Sequence, residues 1–251
     1  MQKPQFKEWT SPVAIATYLG AIGSFLAYLK DFDLLAITFL SVLALILLLS
    51  NLIIYRRYVK YKRYTTIDSE LHRLTHRTRD FVGDLRLTTD IYEAEEKAAS
   101  AIKGALTTAA NIFTMITENK CTASLMLEKD GTLRTYLYCH QVDPERENKP
   151  SGIMPSGEGI AGQAFITGDV VVWGNQSNSF KEIRKEHYNF YKSGISTPFK
   201  AGMKYAGLLN IDTLTENAFQ KNPHKQIAAT VADQIGVIME CTNLWRDLNE
   251  V

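Results

Sequence analysis

Cysteine is scarce in this sequence and nowhere clustered. Cys121, Cys139 and Cys241 form no CxxC pair and no Cys/His group. That pattern removes zinc and a disulfide framework from consideration and reads as reduced thiols in a cytosolic domain. Charge of one sign is also lacking, since 28 Lys and Arg stand against 27 Asp and Glu, a net of +1. A nucleic-acid binder needs a strongly basic surface, so nucleic acid is not expected as a partner. There is no G-x-S-x-G elbow, no P-loop and no conspicuous acid pair. No catalytic constellation is visible, and the chain reads as a non-enzyme with no metal and no identified cofactor. Between Leu34 and Val82 neither glycine nor proline occurs, so nothing in that stretch breaks a helix locally.

What the sequence does contain is unevenly distributed. Residues 1–55 carry three basic and three acidic groups, whereas residues 56–82 carry eight basic and three acidic. Two long uncharged apolar runs precede this basic collar, Val13–Leu29 and Leu34–Tyr55. As helices they reach about 25 and 33 Å, which brackets a hydrocarbon core of about 30 Å. Only Lys30–Asp33 separates them, so the pair is expected to form a transmembrane hairpin over residues 1–64. Lys3 and Lys7 before the first run, and Arg56, Arg57, Lys60, Lys62 and Arg63 after the second, place both termini in the cytoplasm of a bacterial inner membrane. Trp9, Tyr55, Tyr58, Tyr61 and Tyr64 suit the headgroup layer. A cleaved signal peptide is the competing reading of the first run, but the longer second run would still anchor the product.

Beyond the collar, Ile67, Leu71, Leu74, Thr78, Phe81 and Leu85 are spaced 4, 3, 4, 3, 4. This seam predicts a helical coiled-coil linker over 65–89 and a homodimer or higher homo-oligomer. A single amphipathic helix lying on the following domain is the alternative. His72 and His76, four apart on this helix, have a spacing that can share a metal. No Glu stands in the HExxH position and Arg73 and Arg77 are neighbours, so they read as two solvated histidines.

Residues 90–251 alternate in character. Helical spacing covers Ile91–Thr117, 181–192 and Ile227–Leu248. Strand patterns cover 121–128, 132–140, 169–175, 195–202 and 204–213, with Lys129-Asp130-Gly131 as a hairpin turn. Strands joined by tight turns predict an antiparallel sheet flanked by helices, an α+β domain. Within it, GEGIAG (157–162) matches G-x-G-x-x-G. A dinucleotide turn would need a buried strand before it and a long helix after it. The preceding ERENKPSGIMPS is polar with two prolines, and the following helical stretch ends by Gly168, so a nucleotide-binding parallel unit is rejected.

GEGIAGQAFITGDVVVW resembles the signature stretch of GAF domains. YKSGISTPFKAGMKYAGLLNIDTLTENAF is similar to that family's closing hairpin, and AATVADQIGVIME to its last helix. The resemblance implies a GAF-like sensor domain over 90–251, with Gly157, Gly159 and Gly162 in a structural role. It also implies a small-molecule ligand, with cyclic nucleotides or oligonucleotides among the classes. The expected ligand contacts are Phe180, Tyr188, Phe190 and Tyr191 stacking on a flat ring, with Tyr136, Tyr138, Ser196, Thr197, Asn210 and Asp212 supplying polar groups. Because no output module follows the last helix, the leading expectation is a membrane effector, in the manner of bacterial antiviral defence, whose hairpin receives the ligand signal. A tethered adaptor for a separate kinase or regulator, and a ligand-free structural anchor, are the alternatives.

Overall fold

The computed structural model describes residues 20–25, 27–28, 34–139, 153–174, 191–219 and 222–249. The chain divides into two compact units, Met1–Tyr61 and Lys62–Val251.

In the first unit, residues 20–25 and 27–28 are helical and exposed. The rest of the first apolar run, and the turn expected at Lys30–Asp33, lie outside the described residues. Of the expected hairpin, part of the first helix and the whole of the second are therefore described, without the turn between them. That helix, α1, spans Leu34–Leu85. Up to Tyr55 it carries no charge and presents apolar side chains on every side. Leu45, Ile46, Leu47 and Leu48, at successive steps of about 100°, turn through nearly the whole circumference, and each is more than half exposed. A helix apolar all round belongs in a hydrophobic medium rather than in water. Thr38–Leu85 is long and apolar enough to cross a membrane.

The second unit contains the remainder of α1 and then helix α2 (Ile91–Thr117), strands β1 (Cys121–Lys129), β2 (Thr132–Tyr138) and β3 (Ile153–Pro155), and a short helix α3 (Gly159–Thr167). Strands β4 (Val171–Gly174), β5 (Ser193–Ala201) and β6 (Lys204–Thr213) and helix α4 (Asn222–Asn249) complete it. All six strands form one sheet in the order β3-β2-β1-β6-β5-β4, and every pairing is antiparallel. The β1–β2 turn has Asp130 and Gly131 at φ 52° and 76°, the positive pair that a two-residue hairpin of right-handed twist requires.

Three boundaries differ from the sequence expectations. Ile153–Pro155, within a segment read as a poor core strand and assigned no strand, is the three-residue edge strand β3. Its position at the rim of the sheet is where a proline's missing N–H does no harm. The helix pattern at 181–192 lies outside the described residues except for its last two, which are not helical. The third difference concerns the seam. Ile67, Leu74, Thr78, Phe81 and Leu85 are each at most 6 % exposed, and the apolar ones belong to the same buried cluster as Ile102, Phe113, Ile235 and Ile238. The heptad-like stripe is thus buried within the chain, against its own helices, as in the alternative of an amphipathic helix lying on the following domain. Thr78 is accommodated by donating its hydroxyl to Leu74 O at 3.1 Å, and Arg63 forms an ion pair with Glu118 just past the end of α2.

The glycine run is an N-terminal turn for α3. Gly157 and Gly159 have φ 106° and 64°, and a Cβ on Gly162 would stand 2.6 Å from Gly157 N. The turn folds directly onto the first turn of α3, so backbone occupies the space a side chain would need. Gly162→Ala should therefore destabilise the domain by about 1–3 kcal/mol through overpacking, measured as a lower urea midpoint with unchanged secondary structure by circular dichroism.

Candidate functional site

Side chains opposite one another on antiparallel strands share a face, and successive residues alternate between faces. Two faces of different chemistry result. On one, Cys121, Ala123, Leu125, Leu209, Ile211, Ile195 and Phe199 join the large core built with α2 and α4. The other begins with an apolar end, where Met126, Leu133 and Leu208 pack with Ala164, Ala161 and Phe165 of α3.

Beyond α3, this second face becomes polar. Register places Tyr138, Ser124, Asn210, Ser196 and Val171 in one row across β2, β1, β6, β5 and β4. The next row holds Thr122, Asp212, Gly194 and Trp173. Ser196 Oγ donates to Asn210 Oδ1 at 2.7 Å, which leaves the amide NH2 of Asn210 to serve another acceptor. Thr122 Oγ1 donates to Asp212 Oδ1 at 2.6 Å. Gly194 is where the aromatic wall enters. A Cβ there would lie 2.6 Å from the Trp173 indole, so the ring lies against bare backbone. Tyr191 meets the same indole edge-on, with centroids 5.2 Å apart.

The expected ligand residues therefore do not all fall together. Tyr138, Ser196, Asn210 and Asp212 share the polar face, and Tyr191 stands against its aromatic wall. Tyr136 is skipped in the register at the β1–β2 irregularity and is half exposed. Thr197 points the other way. It is paired with Leu209, is 1 % exposed and leaves its Oγ1 without a hydrogen-bond partner. Ser196 and Thr197 are adjacent in sequence, and period-two alternation separates them. Phe180, Tyr188 and Phe190 lie outside the described residues. Trp173, Ser124 and Thr122 were not singled out from sequence. The available signal was their positions on strands of matching register.

No thiol stands on the polar face among the described residues. Cys121 and Cys139 are buried on the helical side, and Ala123 N–H donates to Cys139 Sγ at 3.2 Å. Two concavities lie elsewhere among the described residues of this unit. One, of about 280 Å3, is bordered by Leu74, Arg77, Thr78, Gly104 and Ile238. A shallower one, of about 450 Å3, lies by Asp169, Lys225 and Ala229. Neither contains a residue expected to bind ligand. The polar face can seat a flat ring against Trp173 and hydrogen-bond its edge through a hydroxyl, an amide and a carboxylate.

No family model matches the chain, and no curated protein matches it. Solved structures similar to it include the GAF domain of a phosphoenolpyruvate-protein phosphotransferase from Coxiella burnetii, at 13% identity over 72% of this chain and 99% of that one, with a TM-score of 0.47. A GAF domain from a two-component sensor histidine kinase of Bacillus halodurans matches at 12% identity over 56% and 95%, TM-score 0.45. A type II free methionine-R-sulfoxide reductase from Thermoplasma acidophilum matches at 16% identity over 57% and 95%, TM-score 0.44. At these values the likeness assigns neither ligand nor activity to this chain.

Burial raises the pKa of the Cys121 thiol above its ordinary 9.0, more than its hydrogen bonds to Thr117 and Thr213 lower it. The folded state thus holds that proton more tightly than the unfolded state. The associated stability is complete below pH 9.0 and is lost as pH rises through the folded value. Unfolding free energy of the parent chain should fall more steeply above pH 9.0 than that of Cys121→Ala, as read from urea titrations at several pH values.

Proposed function

We propose that the protein is a membrane-tethered sensor whose GAF-like domain binds a small flat-ring ligand on the polar face of its sheet. The observation that carries this reading is the pair of polar rows on β1, β5 and β6 beside the Trp173–Tyr191 pair. The part of a sheet face that no helix covers normally presents solvent-facing charge. Here the second face carries neutral hydroxyls, an amide, one buried carboxylate and an aromatic wall, which is the chemistry of a ligand seat. The sequence resemblance to GAF domains, the glycine turn into α3 and the closing β5–β6 hairpin point the same way.

Binding rather than reaction is the function proposed. The thiols of Cys121 and Cys139 sit behind the sheet from the polar face, so thiol chemistry on a ligand there has no nucleophile at hand. The ligand class proposed is a nitrogen heterocycle, cyclic nucleotides and oligonucleotides included. Its ring would lie against Trp173, and its edge would meet Ser196, Asn210 and Asp212.

The tether is the apolar length of α1, supported by its all-round exposure of Leu, Ile and Phe. The same helix contributes Leu74, Phe81 and Leu85 to the sensor core, which joins anchor and sensor in one element. An effector acting through its membrane segment, as in nucleotide-signalled antiviral defence, is the sharper form of this proposal. It requires that the ligand alter membrane permeability in proteoliposomes.

Two measurements test the reading. A panel of cyclic nucleotides and other heterocycles should include one that stabilises the detergent-solubilised chain by about 2.7 kcal/mol at a hundredfold its Kd. Trp173→Ala and Asn210→Ala should lose that stabilisation while melting normally without ligand. A panel with no stabilising member, or variants that keep the effect, would reject the site. Separately, the expressed chain should resist extraction from membranes by salt and high pH and yield to detergent. Release by alkaline wash would reject the tether.

A further inference from the structure

The polar face does not use the two histidines of α1, yet they are the closest pair of nitrogen ligands among the described residues. His72 and His76 stand one turn apart on the second-unit part of that helix. Their Nε2 atoms are 2.8 Å apart, with ring centroids 4.3 Å apart and the planes nearly perpendicular at 88°. In the absence of an ion this contact is a hydrogen bond, with one Nε2 donating and the other accepting.

The same distance has a second meaning. Two imidazole nitrogens bound to one metal at about 2.0–2.1 Å lie about 2.8–3.0 Å apart when the angle at the metal is near 90°, and about 3.3–3.4 Å apart at the tetrahedral angle. The observed separation is that of adjacent corners of a square or octahedron, not of a tetrahedron. Nitrogen and oxygen donors in tetragonal geometry suit Cu2+ and Ni2+.

The surroundings allow a cation. Asp68 lies four residues before His72 and Asp80 four residues after His76, so an acid–His–His–acid line runs along one side of the helix. Asp68 and Asp80 are exposed. Of the nearby cations, Arg73 is paired with Glu70, Arg79 lies 3.5 Å from Asp80, and Arg77 borders the cleft formed with α2 and α4. No three His, Cys, Asp or Glu side chains converge among the described residues, so water completes the coordination. We propose that His72 and His76 form a cis-chelating site for a divalent d-block ion of tetragonal preference, with Asp68 and Asp80 supplying favourable charge one turn away on either side. The proposal departs from the sequence expectation of two solvated histidines. Chelation across one turn also fixes both ring tautomers, with Nε2 on the metal and Nδ1 carrying the proton.

The probe is Cu2+ added to the full-length chain in detergent micelles, with bound metal counted by equilibrium dialysis and its ligands read by electron paramagnetic resonance. The expected result is one equivalent of Cu2+ per chain showing coupling to two imidazole nitrogens. His72→Ala and His76→Ala should each lose the two-nitrogen signature, and the double variant should lose the bound equivalent. Both positions are on an exposed helix side where alanine is well tolerated, and unchanged circular dichroism verifies that the variants fold. A wild-type chain that binds no Cu2+, or a double variant that binds it with the wild-type spectrum, overturns the proposal.

Discussion

The alternation of side chains across β1, β6 and β5 is the constraint from which the rest of the second unit follows. β6 pairs along nearly its whole length with strands on both sides, so its register cannot shift without breaking two ladders at once. Leu209 and Ile211 then face the helices, and Asn210 and Asp212 face away. A slip of one residue would reverse every assignment, sending a carboxylate into the core and two apolar side chains onto the polar face. Burial of a charge without a partner costs far more than the loss of a few pairings, so the polar row and the hydrophobic core specify each other.

That division of labour explains the placement of the helices. α2 and α4 both carry apolar stripes rich in small residues, including Ala98, Ala105, Ala109, Ala228 and Ala232, all buried. Small side chains let the two helices lie close on one face of the sheet and leave a further apolar surface that the second-unit part of α1 covers. A stripe already in the same chain meets that surface at high effective concentration. It can therefore dock locally, although its 4, 3 spacing suits a coiled coil equally well. The stretch of the same helix up to Tyr55 obeys a different rule: with leucine and isoleucine on all sides, it has no charged side to present to water.

Much of this was legible in the residues. The apolar run after the turn at Gly202 marks β6 from Lys204 to Thr213, and the period of 3.6 from Ile91 to Thr117 marks α2, because that helix is long and buries one side consistently. Ile153–Pro155 was not legible, since three residues ending in proline carry no periodic signal and become a strand only by lying against β2. Trp173 was equally hidden. A tryptophan in a short apolar strand reads as packing, and only the side-chain gap at Gly194 opposite it lets the indole lie across the neighbouring strand. Thr197 was grouped with Ser196 by proximity in sequence, whereas the pleat puts them on opposite faces.

Local patterns thus determined which segments are helices, which are strands, where the apolar helix lies and that the glycines of 157–162 serve a turn. Those properties depend on contacts within a few residues, and the order of side chains along the chain encodes them. Tertiary structure decided which polar residues share a face, which partner buries the stripe of α1, and how closely the nitrogens of His72 and His76 approach. The first two depend on pairing between segments tens of residues apart, and the third on side-chain torsions. Neither is carried by the spacing of residues along the chain.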